Sequence, residues 1–83
     1  MNDHWQMITS LPTPLTVNDR EWHVRVEGVE RDDGTWAGRL VFADGTSIRV
    51  TGRETSQPNR EALEYWASGL EAVYLEGALE RAR

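Results

Sequence analysis

Two adjoining ribbons, EWHVRVEGVERDDG at 21–34 and TWAGRLVFADGTSIRV at 35–50, set the strongest limit on what this chain can become. Their side chains alternate with the period of a β-strand, and Asp-Gly steps interrupt them at 33–34 and 44–45. Trp22, Val24 and Val26 fall on one side of the first segment, with His23, Arg25 and Glu27 on the other. The second segment sets Trp36, Leu40 and Phe42 against Ala37, Arg39 and Val41, and the third sets Ile48 and Val50 against Ser47, Arg49 and Thr51.

Opposed residues of an antiparallel pair share a face, so loop length decides whether these faces coincide. A three-residue loop of Asp32-Asp33-Gly34 brings Val26 opposite Leu40, Val24 opposite Phe42 and Glu27 opposite Arg39. A three-residue loop of Ala43-Asp44-Gly45 brings Leu40 opposite Ile48 and Arg39 opposite Arg49. In each loop the glycine takes the left-handed position that a Cβ would penalise. The pattern predicts an apolar face of Trp22, Leu40 and Ile48 beneath helical cover. The open face then carries Arg25, Arg39 and Arg49, with Glu27 between the strands. Such a face reads either as solvated surface that discourages edge-to-edge pairing, or as a contact for an anion or acidic partner, which guanidinium forks suit.

Beyond Thr51 the polar run GRETSQPN leads to a helical stretch, with Pro58 in its first turn and Ser56 or Gln57 as its cap. REALEYWASGLEAVYLEGALERAR as one rod would span about 36 Å, longer than an eight-residue strand of about 26 Å. Its apolar positions form two stripes, Leu63, Trp66, Ala67 and Leu70, then Leu75, Ala78, Leu79 and Ala82, rotated by about 100°. Ser68-Gly69 separates them. Two helices near 58–68 and 70–82 are expected, a twisted continuous helix being the alternative. Leu63 and Trp66 should meet the sheet; Glu71 and the pair Arg81 and Arg83 suit the ends of the second helix.

The N-terminal stretch resists a helix, because the two prolines of LPTPLT fix φ and remove donors. It is expected to be an extended arm over 1–18 that lies across its own domain, joins a sheet edge, or reaches another subunit. The expected fold is thus α+β, one domain over 1–83: the arm, a three-stranded antiparallel meander over 20–52, and a helical region over 57–82.

With 83 residues and no cysteine, the chain has no disulfide or thiolate metal site to supplement a small core. His4 and His23 stand far apart with no ligand-spaced companion. Fourteen acids against nine bases, all arginine, leave a net charge of −5. That balance argues against general nucleic-acid binding. No apolar stretch has the length of a signal sequence or membrane span, so a cytoplasmic protein is expected. The acidic run Glu30-Arg31-Asp32-Asp33-Gly34 lacks the alternating ligands of a calcium loop and reads as a turn. No phosphate loop, dinucleotide fingerprint or nucleophile elbow is present. No catalytic, cofactor-binding or metal residue is assigned, and no cofactor.

These observations predict a non-enzymatic interaction or assembly domain that forms a homodimer. Its interface would join Trp5, Ile8 and Leu11 of the arm to Tyr74, Leu75 and Leu79 of the second helix, the same residues being nearly as well suited to packing within one chain. The alternative is binding of nucleic acid or an anionic ligand through Arg25, Arg39 and Arg49.

Overall fold

The structure, a computed structural model, describes residues 4–83. In chain order the elements are β1 (Gln6–Ser10), β2 (Leu15–Val17), β3 (Arg20–Glu30), β4 (Trp36–Ala43), β5 (Ile48–Val50), β6 (Thr55–Gln57), α1 (Arg60–Ser68) and α2 (Ala72–Arg81). The class is α+β, but the sheet is larger than the three-stranded meander expected: it has six antiparallel strands.

β3 and β4 form its centre in the predicted register, with Val24 opposite Phe42, Val26 opposite Leu40 and Glu27 opposite Arg39. The Arg31 amide donates to the Thr35 carbonyl at 2.7 Å, which leaves Asp32-Asp33-Gly34 as the loop. Gly34 there has φ of 87°.

The second hairpin departs from expectation. Ala43, not Leu40, lies opposite Ile48, and Phe42, not Arg39, lies opposite Arg49. The turn occupies 44–47 because the Asp44 carboxylate accepts the amides of Thr46 (2.9 Å) and Ser47 (2.7 Å), while the Asp44 amide donates to the Ser47 carbonyl. Gly45 is left-handed, with φ of 95°, but stands second in the turn instead of last. The odd register shift exchanges the faces of β5. Ile48 is 63% exposed on the open face, and Arg49 crosses to the helical side, its guanidinium 5.4 Å from the Trp22 ring centre.

Each outer edge is made of two short strands. β1 pairs with β3 through Met7 opposite Glu27, then breaks register between Met7 and Thr9. β2 resumes the pairing with Leu15 opposite Trp22 and Val17 opposite Arg20. The arm therefore joins its own sheet edge. Asn18 and Asp19, with φ of 53° and 64°, close the two-residue turn from β2 into β3, a geometry that favours residues tolerant of positive φ. On the other side β4 pairs with β5, then with β6. Between them buried Thr51 continues the ladder, its hydroxyl accepting the Leu40 amide at 3.0 Å. Arg83 exchanges two backbone hydrogen bonds with Val50, covering part of the β5 edge. The register break and prolines on one side, and Arg83 on the other, blunt both edges.

Both helices lie on the Trp22–Phe42 side. The helix break at Ser68-Gly69 is as predicted, but the first cap is neither Ser56 nor Gln57, which belong to β6. Asn59 caps α1, its side chain accepting the Ala62 amide at 2.8 Å, and Pro58 precedes the helix. Leu63 seats over the cross-strand pair Gly28 and Gly38. A Cβ at either glycine would stand 2.5 or 2.6 Å from a Leu63 methyl. α2 sends Leu75, Ala78 and Leu79 into a core shared with Leu15, Trp22, Val24, Val26, Leu40 and Phe42. Its outer side is tied down by Glu54, whose carboxylate accepts the Tyr74 hydroxyl and Arg81, both at 2.6 Å. No helix among the described residues is long and apolar enough to cross a membrane.

Candidate functional site

The open face separates the three arginines singled out by the sequence pattern. Arg25 and Arg39 are on it, and both are occupied: Glu27 takes Arg25 at 3.1 Å and Arg39 at 2.8 Å. Arg39 also lies 4.1 Å from the Trp5 ring centre, so the indole covers the guanidinium. Burial pushes the Glu27 carboxyl up, but hydrogen bonds and charge from Arg39 and Arg25 outweigh it and hold the group below the ordinary carboxylate range. One excess positive charge remains in this cluster. Arg49, on the opposite face, shares the Trp22 indole with Arg20, and Arg20 pairs with Asp44 at 3.4 Å. A three-arginine anion contact is therefore not assembled.

The helical side holds the more developed concavity. β1 and β2 flank the Leu11–Pro14 segment on one side, and the α1–α2 junction stands opposite. Between them runs a groove of about 670 Å³. Its walls bring together Ile8, Leu11 and Leu75, three residues expected at an interface, with Pro12, Pro14 and Leu70. Two features produce it. The prolines keep 11–14 from continuing the edge strand as a flat ribbon, and the helix break turns the chain away from the sheet just where Leu70 and Ala72 emerge. Charge is scarce there. Glu64 is the single charged residue of the lining, and Arg60 pairs with it at 3.3 Å while also donating to Gln6 at 2.9 Å. Thr9, Ser10, Thr13 and Ser68 also line it.

The remaining interface candidates go elsewhere. Leu79 is buried in the domain's own core, Trp5 lies on the open face, and Tyr74 lies beyond the helix junction, edge-on to Trp66 with ring centres 6.2 Å apart. Leu75, though it touches the groove, is itself buried. Sequence reasoning missed Pro12, Pro14, Leu70 and Ala72 as groove residues. The signal available was Asn18-Asp19, a turn pair that identifies the preceding Leu15-Thr16-Val17 as a strand and so places the prolines at a sheet edge. Among the described residues no group of His, Asp or Glu could hold a metal ion.

The comparisons with known proteins supply no relative: no family model matches the chain, and neither the curated proteins nor the solved structures yield a match.

Proposed function

We propose that this chain is a non-enzymatic interaction domain that assembles with a second copy of itself through the groove between the Leu11–Pro14 segment and the α1–α2 junction. The observation that carries the reading is the pairing of opposites at one place. One wall of the largely apolar groove is the Leu11–Pro14 segment, which a second copy can also use as its insert, and the only charge among the lining residues is already neutralised by Arg60. A two-fold arrangement lets each copy lay this segment in the other's groove, the self-complementary geometry of an isologous interface. Proline-stiffened segments have little freedom to lose on docking, and a chain of 83 residues gains from burying more apolar area than it can enclose alone.

Light scattering after size exclusion at micromolar concentration is the test, with a two-chain mass expected. Thr13→Arg and Ala72→Arg place a bulky cation on opposite walls at exposed positions outside the core, so each should return a one-chain mass with an unchanged circular dichroism spectrum. A wild-type chain that stays monomeric at all concentrations up to the millimolar range overturns the reading.

The alternative, an anionic ligand on the open face, is favoured only by the excess charge of the Arg25–Glu27–Arg39 cluster. Glu27 would have to be displaced to free either fork.

A further inference from the structure

Beside the groove, across the helix junction that the two share at Ser68 and Leu70, lies a surface that packing does not explain. Tyr65 is 81% exposed and Val73 80% exposed. They stand with Trp66 and Tyr74 around a shallow, largely apolar depression that Gly69 and Leu70 also line. Large apolar side chains clustered in this way, instead of scattered singly, mark contact surfaces. The unpaired charge around them is negative; Arg81, 5.9 Å from the Tyr74 ring centre, is held by Glu54. Glu71 lines the depression; Glu61 precedes Tyr65 by one helical turn, and Glu76 follows Val73 by one. Among the described residues none of these three acids has an ion-pair partner, whereas the neighbouring cations are engaged, Arg60 with Glu64 and Arg81 with Glu54.

We propose that this corner is a docking site for a cationic amphipathic segment of a partner protein, whose apolar side chains meet Tyr65, Trp66 and Val73 while its lysines or arginines face Glu61, Glu71 and Glu76. Charge decides between the candidate occupants. A second copy offering the same corner would set three unpaired acids against three more, a like-charge juxtaposition that selects against self-docking. An acidic partner fails for the same reason. A basic segment gains both the apolar burial and long-range attraction to a chain of net charge −5. The corner and the groove adjoin at the α1–α2 junction, sharing Ser68 and Leu70, but the docking rests on its own anchors and acids and not on the self-association proposed above.

The probe is a fluorescein-labelled 18-residue amphipathic peptide of leucine and lysine, titrated with the full chain by fluorescence anisotropy. Binding is expected to weaken steeply between low and moderate salt. Tyr65→Ser combined with Val73→Ser removes the apolar anchors at exposed positions and should weaken binding about tenfold or more, with circular dichroism unchanged. Glu71→Gln combined with Glu76→Gln should also weaken it and flatten the salt dependence. The corresponding leucine–glutamate peptide should not bind. Absence of binding by the lysine peptide, equal binding to the Tyr65/Val73 variant, or equal binding of the glutamate peptide each overturns the proposal. A dimer that Tyr65→Ser with Val73→Ser dissolves, while Ala72→Arg leaves it intact, would assign the corner to self-association and overturn it too.

Discussion

The two hairpins of the central sheet look alike as sequence, each turning near an Asp-Gly step between alternating strands, yet only one adopts the register that alternation predicts. In β3–β4 the loop is closed by backbone, Arg31 to Thr35, with the Asp33 carboxylate also accepting the Thr35 amide and hydroxyl, and Gly34 takes the left-handed position. Faces on both strands were already committed by long alternating runs, eleven and eight residues, so register slippage would expose Val24, Val26, Leu40 and Phe42 together. In β4–β5 the second strand is three residues long. Little apolar area depends on its register, and the Asp44 side chain, gathering the amides of Thr46 and Ser47, determines the turn instead. Long strands enforce register through burial; a short one yields to local hydrogen bonding.

The comparison breaks most severely where the helices meet the long pair. Leu63 is fully buried in the notch formed by Gly28 and Gly38. Leu63→Ala should cost about 2–5 kcal/mol in denaturant unfolding. Gly38→Ala, which drives a methyl into the same leucine, should cost about 1–3 kcal/mol. Because one change creates the space that the other needs, the double variant should be clearly more stable than the sum of the two losses implies. Simple additivity would show that the notch does not hold Leu63.

A smaller effect separates the turns themselves. Gly34→Ala forces a Cβ onto a backbone with φ of 87° and should cost about 1 kcal/mol. Asp44→Ala removes the acceptor for two turn amides and should also destabilise its hairpin. The distinguishing measurement is amide hydrogen exchange. Asp44→Ala should accelerate exchange at 48–50 and spare 24–28. Acceleration spread equally over both hairpins would mean that their registers are not set independently.

Much of this architecture was legible because it followed from periods. The β3–β4 register came from alternation plus loop length, and the helix break from two stripes that cannot both face one sheet along a straight axis. What escaped depended on side chains acting on nearby backbone. Asn59 outcompeted Ser56 and Gln57 as a cap because those two residues are consumed by β6 pairing with β4. The edge strands β1 and β2 are five and three residues long with prolines between them, too short for periodicity to register. The groove escaped for a related reason: its walls come from 8–15 and 64–75, and only the pairing of both edge segments with β3 brings them together.

A comparably small effect sharpens the contrast through pH, because Glu27 on β3 and Asp44 in the second turn are held below the ordinary range for different reasons, while Asp33 in the first turn is held low by the Thr35 hydroxyl and amide. Burial of Glu27 is outweighed by Arg39 and Arg25; Asp44 is lowered first by the amides of Thr46 and Ser47. A folded-state value below the unfolded one means that the carboxylate adds stability above the unfolded value and loses it as pH falls through the folded value. Both contributions are therefore present at neutral pH and disappear in acid, below the ordinary values of 4.5 for Glu27 and 3.8 for Asp44. Glu27→Gln leaves two guanidinium groups facing a neutral amide, so it should lower stability at pH 7 by about 1 kcal/mol and flatten the acid decline. Asp44→Asn keeps an oxygen that accepts the turn amides; it should retain more of the neutral-pH stability while flattening its own, lower part of the decline. Stability followed by urea unfolding from pH 7 to about pH 3 reads both. A Glu27→Gln curve running parallel to the wild type across that range would remove the charged cluster from the account of what holds β3 to β4.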